Sequence, residues 1–237
     1  MNFMDYCFIT ILILCGFAGM YQGLVRSILS IASIFITFFI SINYYPRLAS
    51  IIIHQTHVDD ILKKSITSNL NTTLQSIPGV DTLMKINDAF INLLMGNIHV
   101  PLVLRNFVLD NIHIDIQNFS TAQIIDTISS KWTDIFINIM AFIILFAILQ
   151  FIFTLLQNFF GALVTLPILS EVNMLGGLVL GILQGFIVLY VICLGWSMLS
   201  GSPMYDEVFA DLNASKYAKH FYDNNLLLNI LVRYKII

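Results

Sequence analysis

Four long apolar stretches, each almost free of charged residues, constrain this chain more than any other feature. They run from about Tyr6 to Tyr21, Ser27 to Tyr45, Ile135 to Phe160 and Met174 to Leu199. A helix needs roughly 20 apolar residues to cross a hydrocarbon core of about 30 Å, and backbone polar groups in lipid must be satisfied within the helix. The sequence therefore predicts an all-α, polytopic integral membrane protein with four transmembrane helices.

Composition supports a lipid environment and disfavours nucleic acid as a partner. Hydrophobic residues make up 58% of the chain and charged residues 11%, against about 45–50% and about 25% in soluble domains. A chain of this size cannot bury that much apolar surface in its own core, so the lipid bilayer is the predicted partner. Because 11 basic residues face 14 acidic ones, no basic surface is available to neutralise phosphates.

The apolar stretches divide the chain into four parts. Residues 1–46 are predicted to form a transmembrane helical hairpin, and residues 47–131 a polar, amphipathic helical insert. Residues 132–202 carry the third and fourth spans, and residues 203–237 form an amphipathic C-terminal tail. We expect the tail to dock back on the insert or on the membrane surface.

Two residues are expected to set the limits of the hairpin. Arg26 lies in a link of only a few residues between the first two spans, which predicts a tight turn. Pro46 is expected to close the second span, because proline removes a helical hydrogen bond and clashes with the preceding turn.

The insert has helical spacing of its own. Apolar residues repeat at helical intervals from Ile61 to Leu74, from Leu83 to Leu94 and from Leu104 to Val108. These runs predict amphipathic helices whose apolar faces need a partner, either each other or the lipid headgroup zone.

The third span is predicted to begin well before the membrane. Ser120 and Gln123 have the spacing of a capping box, and the helical pattern that follows continues unbroken into the span. Lys131 and Trp132 stand where interfacial anchors belong, and Asp134 follows them at the entrance to the span.

Small residues recur every four positions in two of the spans. Four-residue spacing places them on one helix face and lets another backbone approach closely. Two interpretations remain: packing within one chain, or docking to a second copy or another membrane protein. The residues are Gly177, Gly181 and Gly185 in the fourth span, and Cys15, Gly19, Gly23 and Ser27 in the first.

Polar residues inside the spans are functional candidates by default. Gln150 and Gln157 lie in the third span and Gln184 in the fourth, with no Lys, Arg or Glu at mid-membrane depth. They indicate either hydrogen bonds between helices or the lining of a solute path.

The sequence predicts no catalytic residue, no metal and no cofactor. It contains no nucleophile elbow, zinc helix or phosphate-binding loop. His54 and His57 have the spacing of metal ligands on one helix face, but solvated surface histidines fit the polar insert better. The cysteines all lie inside predicted spans, which favours packing over disulfides; they are Cys7, Cys15 and Cys193.

Three segments carry a resemblance to a known family. Asp5 before an apolar helix, followed by residues 19–26 (GMYQGLVR), resembles the opening of the colicin V production protein (CvpA) family. Residues 173–185 (NMLGGLVLGILQG) are similar to its second signature, and residues 219–227 (KHFYDNNLL) to the ending of its longer members. In this chain Tyr21 and Gln22 stand where a basic residue is usual in the family, and Gln184 stands where many members have Arg or Lys.

The resemblance implies a multi-pass protein of the bacterial inner membrane that takes part in toxin production or export and in envelope homeostasis. It implies no catalytic residue, so a non-enzymatic accessory or scaffold role is expected, acting through the glycine stripes. The alternative is a small transporter or channel subunit with a glutamine-lined path. The expected partners are lipid and either a second copy or other membrane proteins.

Orientation depends on which signal is followed. Basic residues near the span ends slightly favour cytoplasmic termini by the positive-inside rule. Family members fused to an extracytoplasmic protease imply the reverse, with both termini outside and the turn at Arg26 inside. Our interpretation leans towards the second arrangement.

Overall fold

The computed structural model describes residues 2–76, 121–161, 170–197 and 209–233, and every regular element in them is a helix. The predicted helices between Leu83 and Val108 and the predicted cap at Ser120 lie outside these ranges. The six helices are α1 (Phe3–Thr56), α2 (Val58–Ser76), α3 (Thr121–Gly161), α4 (Ser170–Ser197), α5 (Tyr217–Asp223) and α6 (Leu226–Arg233). Residues 209–213 add a short helical segment before α5.

Helix α1 is interrupted at Gly23, whose backbone (φ 79°, ψ 169°) is not helical. We call residues 3–22 the first arm and residues 24–56 the second arm. The Ser27 hydroxyl donates to the carbonyl oxygen of Gly19 at 3.4 Å, whereas eight residues of straight helix span about 12 Å. The chain therefore turns back on itself at Gly23.

Both arms lie along α4, in opposite directions. On the first arm, Phe8 packs in a cluster with Leu189 and Cys193, near the end of α4. On the second arm, Ser27 contacts Gln184, and Ile34 shares a cluster with Leu194. The contacts of the two arms thus run along α4 with opposite polarity, as in a helical hairpin.

Helix α3 runs antiparallel to the second arm. The Phe38 and Phe142 rings meet edge to face at 5.6 Å, and further along the arm Ala49 packs with Ala141 in a small cluster. As the sequence predicts, α3 is one unbroken helix of 41 residues beginning at Thr121.

The second arm extends further than the sequence predicts. Helix α1 passes through Pro46 and ends only at Thr56, followed by His57 in the left-handed region. The prediction that Pro46 closes the helix is therefore wrong. Packing of Ala49 against α3 on the following turn offsets the hydrogen bond that proline removes.

Helix α2 and the tail pack against the part of α3 that precedes its most apolar stretch. Helix α2 starts and ends close to the predicted limits, and its Thr67 hydroxyl donates to the Ser129 hydroxyl at 2.9 Å. Leu228 and Leu231 of α6 are buried in the same apolar cluster as Trp132.

Three of the described helices, α1, α3 and α4, are long and apolar enough to cross a membrane. Their outward faces are rich in exposed aromatic and aliphatic side chains, including Phe39 (70% exposed), Phe151 (65%) and Val179 (65%). A soluble protein rarely exposes apolar surface on this scale, so the chain is a multi-pass membrane protein.

Candidate functional site

The first arm and α4 touch backbone to backbone at glycine. A Cβ atom added to Gly19 would lie 2.7 Å from the Gly181 Cα, and one added to Gly181 would lie 2.9 Å from the Gly19 Cα. A Cβ on Gly177 would collide with the Gly19 carbonyl oxygen. We call Gly19, Gly177 and Gly181 the glycine crossing. Each position excludes even a methyl group unless the helices separate.

The contact loosens beyond the glycine crossing, on the side that leads away from Gly23. A Cβ on Gly185 would lie 3.0 Å from the Leu12 Cδ2, and one on Gly16 would lie 3.1 Å from the Ile182 Cγ1. Those neighbours are side-chain atoms that can shift, whereas the atoms at the crossing are backbone. Gly195 lies further along α4. Among the described residues it has no neighbour within 4 Å of the place that a Cβ would occupy, so a methyl group fits there.

The two glycine stripes therefore face each other within one chain. The sequence left open whether they pack internally or dock to another protein. In the structure Gly19, Gly177 and Gly181 are all buried, so these faces are not exposed to a second molecule. Of the two interpretations, these contacts correspond to packing within one chain.

The turn of the hairpin depends on Gly23 and Asn173. The positive φ of Gly23 is a conformation that other residues rarely adopt. It leaves the backbone N–H of Leu24 without a helical partner, and the Asn173 Oδ1 accepts it at 2.7 Å. A Cβ on Gly23 would also lie 2.8 Å from that same Oδ1, so the side chain of Asn173 fits closely against the glycine.

The three glutamines of the spans all donate to the second arm. Gln184 Nε2 donates to the Ser27 carbonyl oxygen at 3.2 Å. Gln157 Nε2 donates to the Leu29 carbonyl oxygen at 3.2 Å, and Gln150 Nε2 donates to the Ser33 hydroxyl at 3.4 Å. These bonds link α3 and α4 to the second arm. The placement favours a helix-linking role for the glutamine amides over a role in lining a path.

Arg26 lies just after the turn and is joined to Asn158 near the end of α3 by a side-chain hydrogen bond. The basic residue that the sequence places in the short link thus ties the hairpin to α3. This contact and the Asn173 contact fix the turn from two neighbouring helices.

At the opposite end of the first arm, Asp5 binds the C-terminal tail. Its carboxylate, which is fully buried, accepts backbone N–H groups from Tyr217 at 2.8 Å and from Lys216 and Ala218 at 3.2 Å each. It also accepts the Asn2 N–H at 3.2 Å, completing a capping box at the start of α1. One carboxylate therefore caps both α1 and the first turn of α5.

Asn225 makes a second link between the tail and the membrane helices. Its side-chain Nδ2 donates to the Tyr190 carbonyl oxygen of α4 at 2.9 Å, and its Oδ1 accepts the Leu228 N–H at 3.1 Å. Asn225 is fully buried, so it both caps α6 and holds it against α4.

The residues expected at the membrane boundary of α3 are placed unequally. Lys131 and Asp134 are exposed. Trp132, by contrast, is fully buried, with its ring 5.7 Å from that of Phe136. Trp132 thus lies in the core beneath α6, covered by protein side chains.

The histidines named as metal candidates are surface groups. His57 Nδ1 lies 3.8 Å from Asp60 Oδ2, and both side chains are about four-fifths exposed. Within the described residues, no three His, Cys, Asp or Glu side chains come together as a metal site would require.

Sequence reasoning missed the roles of Asn173 and Asn225. Asn225 lies immediately before an apolar helical run, where asparagine is a favoured cap, and that signal could have marked it. Asn173 lies inside α4, and its bond to Leu24 carried no local signal. The partner of Asp5, more than 200 residues away along the chain, carried no local signal.

Comparison with known proteins gives one match. The family model described as colicin V production protein matches residues 4–80 and 114–224, which is the greater part of the chain. These ranges include Asp5, the glycine crossing and Asn173. No curated protein and no solved structure matches the chain.

Proposed function

The chain belongs to the colicin V production protein family, and from that premise we propose that it is an inner-membrane accessory or scaffold protein. Its role is to support production or export of a colicin V-type toxin and, more broadly, homeostasis of the cell envelope. The role is non-enzymatic and depends on a fixed arrangement of helices.

The observation that carries this proposal is the glycine crossing. A backbone-to-backbone contact fixes the separation of two helices more tightly than contact between flexible side chains. Such a contact suits a protein whose task is to present a constant surface to its neighbours. Because the glycine faces are used within the chain, contacts with a second copy or another membrane protein fall to other surfaces.

We further propose four membrane crossings, with the turn at Gly23 on the opposite side from the N-terminus. A straight helix of 54 residues would extend about 80 Å, far beyond a hydrocarbon core of about 30 Å. The contact between Ser27 and Gly19 supports the reversal. Residues 22 and 54 should then label from opposite sides of the membrane, and labelling from the same side would contradict four crossings.

The functional proposal is tested by complementation in a strain that exports such a toxin and lacks its own copy of this protein. Secreted toxin activity and resistance to envelope stress should fall without the protein and return with the wild-type chain. Gly181→Leu, which obstructs the glycine crossing, should restore neither readout. Gly195→Ala, at an open position of the same helix, should restore both.

Membrane abundance of every variant must be measured on the same cells. Unchanged toxin export and unchanged stress resistance in the deletion strain would refute the proposed role. Full complementation by Gly181→Leu would refute the dependence on the crossing.

A further inference from the structure

Two hydroxyl groups in the middle of the second arm are buried without a hydrogen-bond partner. Thr37 and Ser41 are both 0% exposed, and neither the Thr37 Oγ1 nor the Ser41 Oγ has a partner among the residues that the structure describes. The Oε1 of Gln150 on α3 is also buried and unpaired. These three polar atoms are therefore among the buried side-chain atoms that the described residues leave without a hydrogen bond.

Thr37 differs from most of the other threonines of the described helices. Six of them donate to the carbonyl oxygen four residues earlier, at 2.6–2.9 Å; they are Thr10, Thr56, Thr72, Thr127, Thr133 and Thr154. Thr37 makes no such bond to Ser33. Its hydroxyl is thus available to a partner outside its own helix.

These groups share one side of the second arm. Ser33 faces α3, because its hydroxyl accepts from Gln150 Nε2 at 3.4 Å. Thr37 follows one helical turn later and Ser41 two turns later, so the three residues lie along about 12 Å of one helix side. We call Ser33, Thr37, Ser41 and Gln150 the polar track.

We propose that the polar track binds water inside the membrane-spanning bundle. An unpaired hydroxyl or amide costs free energy in an apolar interior, and a buried water that bonds to several such groups removes that cost. None of the four side chains is ionisable, so an ion would enter without a countercharge at high cost. The chemistry of the track therefore selects a small neutral molecule that both donates and accepts hydrogen bonds.

The test is water-edited solid-state NMR of the full chain in lipid bilayers. Magnetisation is transferred from water to labelled threonine and serine side chains, and its rate of build-up is measured. Thr154 is the matched control, because it lies on α3 facing outwards with its hydroxyl bonded to the Gln150 carbonyl oxygen. Build-up at Thr37 and Ser41 should be at least about twofold faster than at Thr154, as expected of groups in contact with bound water.

A pair of isosteric substitutions sharpens the result. Thr37→Val keeps the shape of the side chain and removes one partner of the water, so transfer to the Gln150 side-chain amide should fall to about half or less. Thr154→Val should leave that transfer unchanged.

Three results would overturn the proposal. The first is build-up at Thr37 and Ser41 no faster than at Thr154, which would mean that both hydroxyls close onto their own helix. The second is an unchanged Gln150 signal in Thr37→Val. The third is a shift of the Thr37 and Gln150 resonances when Na⁺ and K⁺ are replaced by a bulky organic cation, which would identify an ion as the occupant.

Discussion

The two arms of the hairpin lie against the same helix and are held there by opposite means. The first arm contacts α4 at residues that have no side chain, namely Gly19, Gly177 and Gly181. The second arm is joined to α4 and α3 by polar side chains, including Gln184 and Gln157. Close glycine packing distinguishes the first arm, and interhelical hydrogen bonds added to apolar packing distinguish the second.

The difference has an energetic consequence. An atom added at the glycine crossing collides with the backbone of the facing helix. An interhelical hydrogen bond in a membrane, by contrast, contributes only about 0.6 kcal/mol on average. Substitutions at the glycine crossing should therefore cost several times more than substitutions at the glutamines.

The largest effect is expected for Gly181→Leu. The new side chain must enter space occupied by the backbone of Cys15 and Gly19, which should lower the free energy of unfolding by about 3 kcal/mol. Thermal unfolding in detergent or bicelles should show a fall in Tm of roughly 6–12 °C.

Gly195→Ala is the control for that experiment. It adds a methyl group where no atom of the described residues lies within 4 Å and should raise stability, by up to about 1 kcal/mol, because alanine is the better helix former. If Gly181→Leu melted no lower than Gly195→Ala, the tight fit of the first arm would be contradicted.

Next in size is Gly23→Ala, at the joint between the arms. Alanine in this backbone conformation should cost about 2 kcal/mol. Tm should therefore fall, and a double-mutant cycle with Asn173→Ala separates strain from collision. The cost should persist when the Asn173 side chain is absent; if it vanishes there, collision alone is responsible and the turn does not require a glycine backbone.

The sequence predicts the contacts of the first arm better than those of the second. Four-residue spacing predicts a close helix contact from Gly177 and Gly181 alone, although it does not say which helix comes near. The glutamines give no such information, because an amide can donate to any carbonyl within reach. The family and the helical membrane class follow from local sequence and are confirmed.

At two residues, packing against distant segments adds to or outweighs a local preference. Pro46 should end a helix by its own chemistry, yet the second arm continues because Ala49 packs on α3 beyond it. Trp132 has the position of an interfacial anchor, but Leu228 and Leu231 of the tail are buried with it in one cluster. Neither contact has a signature near the residue it affects.

Asp5→Asn tests the polar contact that the first arm makes with the tail. The carboxylate accepts four backbone N–H groups, whereas an asparagine amide has only one oxygen and turns an NH₂ group towards these donors. We expect a loss of about 2 kcal/mol, since hydrogen bonds to charged groups are the stronger ones. Hydrogen exchange at the Tyr217 and Ala218 amides should accelerate.

Asp134→Asn is the matched control, because Asp134 is exposed on α3. It should leave exchange in the tail unchanged. Equal protection of the Tyr217 amide in wild type and Asp5→Asn would show that the tail is held by its apolar contacts alone.

The smallest effect is expected for Gln184→Leu, and it is the one that can break the comparison. Leucine removes the bond to the Ser27 carbonyl oxygen but keeps an apolar side chain of similar length, so the loss should be about 0.6 kcal/mol. Gln22→Leu, at an exposed position near the turn, gives the baseline for losing an amide without an interhelical bond. Should Gln184→Leu lower Tm as far as Gly181→Leu does, directed bonds would hold the hairpin as strongly as shape does. The fixed arrangement of the helices would then depend on the hydrogen bonds as much as on the glycine crossing.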